Sequence, residues 1–342
     1  MKSFFLRFLS IALVLFVLPF AGKGKTEPYD VKDPDACVLN FSILSDSHIE
    51  GNNFARYKIF NNALQNVTQN QSGNDAIVFL GDNTMNGQHI ENMLFHGTAA
   101  MMLRGETVLP VMGNHDIGNG QGDYRKLESR WYDYTKAFFG QKLEHPYYSE
   151  VIDGCSFIVL GPEAQKVYEM QVSDAQFQWL EQELDKAAAS GRPAFVFAHF
   201  PMDDATDETG EPTDRLTKML AEYNCEHDLF VFVGHTHMPL YLYWSFHNYD
   251  GFPETYLPRL TDLSGEDDNE PFERSGVGME VEVYENEVVL RGRNFYRGEW
   301  LYDTADETMC EVTYQLKNPI TELRKKQRGC SDCFISLQPL RL

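Results

Sequence analysis

Short runs of aliphatic, aromatic and β-branched residues recur along the chain, at Leu39–Leu44, Ala76–Leu80, Thr107–Met112, Cys155–Leu160, Ala194–Ala198 and Leu229–Val233. Each is too short for a helix and ends in a polar or glycine-containing cluster, which reads as a buried strand. Segments with helical spacing lie between several of them: Phe54–Gln69, His89–Leu103, Tyr124–Phe139, Ser173–Ala189 and Thr213–Tyr223. The fourth carries a capping-box pattern, Ser173 with Gln176, and places Phe177, Leu180 and Leu184 on one face. Strands alternating with helices predict an α/β layer structure with partly parallel, buried strands. After Pro239 the helical patterns stop and strand-like segments follow at Leu240–Trp244, Val277–Tyr284 and Glu287–Arg291, as expected of a second sheet packed on the first.

The ends of the chain differ from this middle. Residues 1–22 combine Lys2 and Arg7 with a mostly apolar stretch of thirteen residues from Phe8 to Phe20. That length suits a signal-peptide core better than a membrane span, which needs roughly 20 apolar residues. The expectation is a secreted or extracytoplasmic protein, with an uncleaved membrane anchor as the alternative. The expected divisions are this leader at 1–22, one catalytic domain at 37–300, and a C-terminal extension at 301–342 that carries Cys330 and Cys333. A disulfide is favoured for that pair over a zinc knuckle, because no second cysteine pair sits nearby. Asn40, Asn66 and Asn70 begin N-glycosylation sequons.

Charge excludes one class of partner. The 342 residues include 29 Lys plus Arg against 51 Asp plus Glu, a formal charge of −22. A surface that tracks phosphate backbones needs clustered cations, so no nucleic acid polymer is expected as partner. Two stretches, Asp203–Asp214 and Asp262–Glu273, hold six carboxylates each and read as exposed acidic loops.

The chemistry sits where strands end. Leu39–Leu44 is followed by Asp46 and His48, Ala76–Leu80 by Gly81-Asp82, Thr107–Met112 by Gly113-Asn114-His115-Asp116, Ala194–Ala198 by His199, and Leu229–Val233 by Gly234-His235-Thr236-His237. Ligands of open α/β sheets bind at the carboxyl ends of strands, so these groups are expected to share one crevice. Asp46 and His48 are two residues apart, as are His235 and His237, and in extended backbone such pairs point to one side. Carboxylates, imidazoles and an amide oxygen suit first-row divalent metals, and seven donors exceed one tetrahedral site. Two metals sharing a carboxylate use the whole set. His89, His96, His145, His227 and His247 lack this context and read as structural or surface groups.

In this order the motifs resemble those of the calcineurin-like metallophosphoesterase superfamily, over Asp46 to His237. The resemblance implies a two-sheet β-sandwich flanked by helices in four α/β/β/α layers. It implies two divalent or trivalent metal ions (Mn, Fe, Zn or Co), one held by Asp46, His48, Asp82 and His237, the other by Asp82, Asn114, His199 and His235. His115 is implied as a catalytic acid that binds the scissile phosphate alongside Asn114. Many members carry a carboxylate where this chain has Met85, leaving Asp116 or a loop residue to orient His115. The implied activity is hydrolysis of small phosphomonoesters or phosphodiesters through a hydroxide bridging the metals. The alternatives are a cyclic-nucleotide phosphodiesterase, which shares the signature, and a metal-containing binding module without catalysis. Tyr241, Tyr243 and Trp244 are candidate substrate-stacking residues, weighed against a plain sandwich edge.

Overall fold

The computed structural model describes residues 27–103, 105–240, 245–248, 250–264, 270–271, 275–302 and 307–320. The leader, the Tyr241–Trp244 wall, Cys330 and Cys333 lie outside the described residues, as does part of the second acidic stretch.

Strands β1 (Leu39–Leu44), β2 (Ala76–Leu80) and β3 (Thr107–Val111) run parallel, connected by helices α1 (Phe54–Val67) and α2 (His89–Met102). Helix α3 (Tyr124–Phe139) then leads to a second sheet, whose β4 (Tyr148–Ile152) pairs antiparallel with β5 (Cys155–Val159). Next come α4 (Asp174–Ser190), β6 (Ala194–Ala198), α5 (Arg215–Glu226), β7 (Leu229–Val233) and β8 (Glu254–Tyr256), with β5, β6, β7 and β8 parallel in that order. The chain returns to the first sheet as β9 (Val277–Val283), antiparallel to β1, then β10 (Glu287–Asn294) and β11 (Glu311–Gln315).

Alternation decides what each face buries. Leu39, Phe41 and Ile43 point inward and meet Phe157, Phe195, Phe197 and Phe232 of the other sheet in one apolar core. Phe41 makes edge-to-face contacts with Phe157 at 4.9 Å and Phe195 at 5.1 Å, a favoured aromatic geometry. Helices α1 and α2 cover the outer face of the first sheet through Phe60, Leu64 and Phe95. Helices α4 and α5 cover the second through Phe177, Leu180, Leu184, Leu216 and Leu220. The result is the four-layer α/β/β/α sandwich that the motifs implied. The expected capping box is half formed: Ser173 Oγ accepts from Gln176 N, but the Gln176 side chain donates to the Gly161 carbonyl and to Glu163. Glu163 instead accepts the Ser173 backbone N–H.

Asn40 and Ser42, the outward residues of β1, belong to a buried polar layer absent from the sequence reading. Glu280 on β9 is fully buried and its carboxyl accepts from Tyr29 Oη (2.6 Å), Ser42 Oγ (2.8 Å), Asn40 Nδ2 and Asn70 Nδ2 (3.1 Å each). Beside it Arg293 donates to Asn66 Oδ1 at 2.9 Å and lies over the rings of Tyr29 and Trp300. The segment that begins at Glu27 is thereby bound onto the first sheet. Asn40, Asn66 and Asn70, the sequon asparagines, are all buried in this layer, so the folded chain presents none of them to a glycan transferase.

Burial pushes the Glu280 carboxyl up to about 7, with Glu282 adding to the rise. A group whose folded pKa is raised stabilises the fold fully below its ordinary value near 4.5, and that contribution is lost as pH rises through about 7. Its size is of the order of 3 kcal/mol. We expect Glu280→Gln to flatten this dependence: thermal melts at pH 5 and pH 8 should show a smaller loss of Tm in the variant than in the parent.

Candidate metal centre

The carboxyl ends of β1, β2 and β3 from one sheet and of β6 and β7 from the other meet at one edge of the sandwich. Backbone bonds tie the loops together: Asp46 N to Gly81 O (3.1 Å), His48 N to Asp82 O (2.8 Å) and Gly234 N to His199 O (2.9 Å). Close approach explains two of the motif glycines. A Cβ on Gly113 would lie 2.3 Å from Asp82 Oδ1, and one on Gly234 would lie 2.3 Å from Ser45 Oγ and 2.8 Å from Asp46 Oδ2.

The ligand loops are not extended, contrary to the spacing argument. Asp46, His48, Asp82, His235 and His237 all adopt left-handed backbone, with φ between 41° and 62°. Such conformations cost of the order of 1–3 kcal/mol each and persist only where the surroundings impose them. They also change which residues share a point. Asp46, His48 and His237 form one cluster, whereas His235 joins Asp82 and His199 in another. Two histidines two positions apart thus serve different clusters, because the tight turn between them abolishes the same-side rule of a strand.

Within the first cluster His237 Nε2 lies 3.1 Å from Asp46 Oδ1 and 3.1 Å from His48 Nε2. In the second, His199 Nε2 lies 3.2 Å from Asp82 Oδ2, and that same oxygen is 3.8 Å from His48 Nε2. Asp82 therefore sits between the clusters. The donor atoms of each trio lie within 4.8 Å of one another. Asn114 is placed by Asn119, whose Oδ1 accepts its amide N–H at 3.0 Å. Asn114 Oδ1 is left buried without a hydrogen-bond partner. Buried acceptors rarely stay unpaired in native proteins. An unpaired amide oxygen in the same turn as His115, together with clusters of carboxylates and imidazoles, fits divalent first-row metal ions.

Electrostatics support the same fit. Burial raises the pKa of Asp46 and Asp82, but His199 and the neighbouring imidazoles overcome it, leaving Asp46 well below the usual range and Asp82 at about 2. Burial lowers His199, yet Asp82 and Asp46 outweigh it and hold the imidazole up to about 9. Burial carries His48 and His235 down to about 4, so both are neutral donors at physiological pH. The His199 proton stands where a cation is wanted, since metal ligation needs the neutral ring. His199 Nδ1 already donates to the Leu80 carbonyl at 3.0 Å, which directs Nε2 into the cluster.

His115 is not oriented by Asp116. Its Nδ1 donates to the backbone carbonyl of Met85 at 2.7 Å. The position that lacks a carboxylate side chain thus supplies its main-chain oxygen instead. His115 Nε2 faces the cluster, 3.9 Å from Asp82 Oδ2, and its backbone N–H donates to Asp82 Oδ1 at 2.8 Å. Asp116 is buried and turned the other way, accepting from Gly113 N, Asn83 Nδ2, Thr84 N and Thr84 Oγ1. It locks the Gly113–Asp116 turn against the turn after β2. Of the other histidines, His96 is buried, with burial taking its pKa down to about 3, and His145 stacks on Tyr147. Neither they nor His89 and His227 join a metal-type cluster among the described residues; the His247 side chain lies outside them.

A family model described as calcineurin-like phosphoesterase matches residues 39–239. The chain is 26% identical over 219 residues to a probable glycerophosphodiester phosphodiesterase of Arcobacter nitrofigilis, covering 59% of this chain and 73% of that one. Among solved structures, a dimetal phosphatase from Danio rerio superposes with a TM-score of 0.51 at 14% identity, covering 82% of this chain and 99% of the other. Purple acid phosphatase PPD1 from yellow lupin superposes at 0.52 and 13% identity, covering 82% and 54%. Both share the fold.

Asn119 was not legible as a site residue, although a non-glycine at φ 50° beside Asn114 marks it in the structure. Loss of a partner that orients a metal ligand typically costs about 10–100-fold in metal affinity. Asn119→Ala should weaken Mn²⁺ or Zn²⁺ binding by that factor in a calorimetric titration, with the metal-free melting temperature little changed.

Proposed function

This chain belongs to the calcineurin-like phosphoesterases, metal-dependent hydrolases of phosphoric esters, and we propose that it hydrolyses small phosphodiesters outside the cytoplasm. One observation carries the assignment of the site. Seven side chains, Asp46, His48, Asp82, His115, His199, His235 and His237, reach from five strand ends of two sheets into three overlapping clusters of metal-ligand type, and the buried Asn114 Oδ1 in the His115 turn has no hydrogen-bond partner. The diester preference is supported by the relative from Arcobacter nitrofigilis, whose name describes a phosphodiesterase. Export is supported by the composition of residues 1–22.

Asp46, His48, Asp82 and His237 would hold one metal ion and Asp82, Asn114, His199 and His235 the other. When bound, the pair supplies positive charge to the phosphate oxygens and acidifies water. Hydrolysis forms a P–O bond to a water oxygen and breaks the P–O bond to the leaving alcohol, whose oxygen must gain a proton. His115 is built for that transfer. Its Nδ1–H is committed to the Met85 carbonyl, so Nε2 is the nitrogen that carries and releases the proton. The bond from its backbone to Asp82 fixes its distance from the shared carboxylate. His115→Ala should lower kcat by about 10²- to 10⁴-fold while metal stoichiometry stays at the parent value.

The substrate class is tested with protein loaded with Mn²⁺ or Zn²⁺ against bis-p-nitrophenyl phosphate, p-nitrophenyl phosphate and cyclic AMP. The expected ranking by kcat/KM puts the open diester first. Preference for the monoester would overturn the diester reading, and preference for cyclic AMP would move the protein to the cyclic-nucleotide phosphodiesterases. No turnover under any metal would leave the binding-module alternative.

A further inference from the structure

The segment between β8 and Asp262 is hydrogen-bonded to two chain segments that carry residues of the metal centre. Leu257 N donates to Val233 O at 2.7 Å, at the end of the strand that delivers His235 and His237. Leu260 N donates to Ser45 O at 2.9 Å and Thr261 Oγ1 to Ser47 O at 2.7 Å, on either side of Asp46. The segment therefore bridges the two loops that form the Asp46–His48–His237 cluster. Arg259 is its middle residue, half-buried, in a chain of strongly negative charge.

The buried arginines of this fold have partners: Arg56 reaches the His48 carbonyl, Arg291 pairs with Glu282, and Arg293 bonds Asn66. Arg259 makes no ion pair or hydrogen bond among the described residues, and its buried Nε lacks a partner. The Arg259 guanidinium is close enough for its charge to act on the His48 imidazole. The planar fork of donors of an unpaired, half-buried guanidinium matches a carboxylate or phosphate.

We propose that Arg259 is a substrate-recognition residue that binds a second oxyanion, a carboxylate or a further phosphate, carried by the ester next to its scissile phosphate. This rests on the hydrolase reading of the centre and adds the substrate class to it. The scissile group has the metal cluster and His115. Arg259, flanking the cluster on the Ser45–Ser47 side, gives a neighbouring anion its own counter-charge within an otherwise acidic surface.

Binding, measured calorimetrically on metal-loaded protein, tests this independently of turnover. O-phosphoserine and O-phosphoethanolamine differ by one carboxylate; glycerol 1,3-bisphosphate and glycerol 1-phosphate differ by one phosphate. The parent should bind the doubly anionic member of at least one pair about tenfold tighter, as a charge-assisted bidentate contact allows. The pair that discriminates identifies which oxyanion is recognised. Arg259→Ala should abolish the discrimination, and Arg259→Lys should retain part of it. Equal affinity within both pairs for the parent overturns the proposal, as does discrimination that survives in Arg259→Ala, or a variant whose only change is a lower melting temperature. If discrimination follows Arg259 but no ester is turned over, the recognition role stands and the hydrolase reading falls.

Discussion

Two buried carboxylates facing imidazoles set the terms for this molecule. Asp46 and Asp82 are almost wholly removed from water, and burying ionised groups is costly unless opposite charge lies close by. Without metal, the protein's own answer is a proton held on His199 up to about 9. That arrangement balances only part of the charge and leaves Asn114 Oδ1 without a partner. Divalent cations resolve both deficits at once. The ligand loops accept unfavourable left-handed backbone at five positions to keep these groups together, which makes the centre the place where the fold gives up stability to hold its chemistry.

The sandwich is what makes that arrangement possible. Parallel strands deliver their carboxyl ends to the same edge, and packing two such sheets face to face brings β1, β2 and β3 opposite β6 and β7. The Phe41, Phe157 and Phe195 contacts set the distance between the sheets, and that distance sets the separation of the Asp46 and His199 loops. A second polar layer on the outer face, centred on Glu280 and Arg293, holds the segment that begins at Glu27 against β1 and β9. Buried polar networks of this kind are tolerated because their members are hydrogen-bonded.

Much of the centre was legible because its chemistry is carried by residue type. Asp, Asn and His at the ends of five apolar runs, with glycine before three of them, mark the ligands wherever the chain goes. What could not be read were contacts made by main chain or by residues with no chemical distinction. His115 is oriented by the Met85 carbonyl, and no side-chain pattern reports a carbonyl. Asn119 and Arg259 are ordinary polar residues until the turn after β3 and the segment after β8 place them. The burial of the sequon residues Asn40, Asn66 and Asn70 was illegible for the same reason: a local triplet carries no information about burial.

By itself, the sequence determined the layered class, the extents of strands such as Leu39–Leu44 and Leu229–Val233, and the set of candidate ligands, because hydrophobic periodicity and metal affinity are properties of local residues. The family resemblance had implied how those candidates divide, and the tertiary structure supplies the physical reason. His235 and His237, two positions apart, enter different clusters because a left-handed turn separates them, and Asp82 lies between the clusters because β2 lies between β1 and β3. It also decided the surroundings of the centre, the Met85 carbonyl, the amide of Asn119 and the guanidinium of Arg259, since contacts between residues distant in the chain exist only once the sheets have packed.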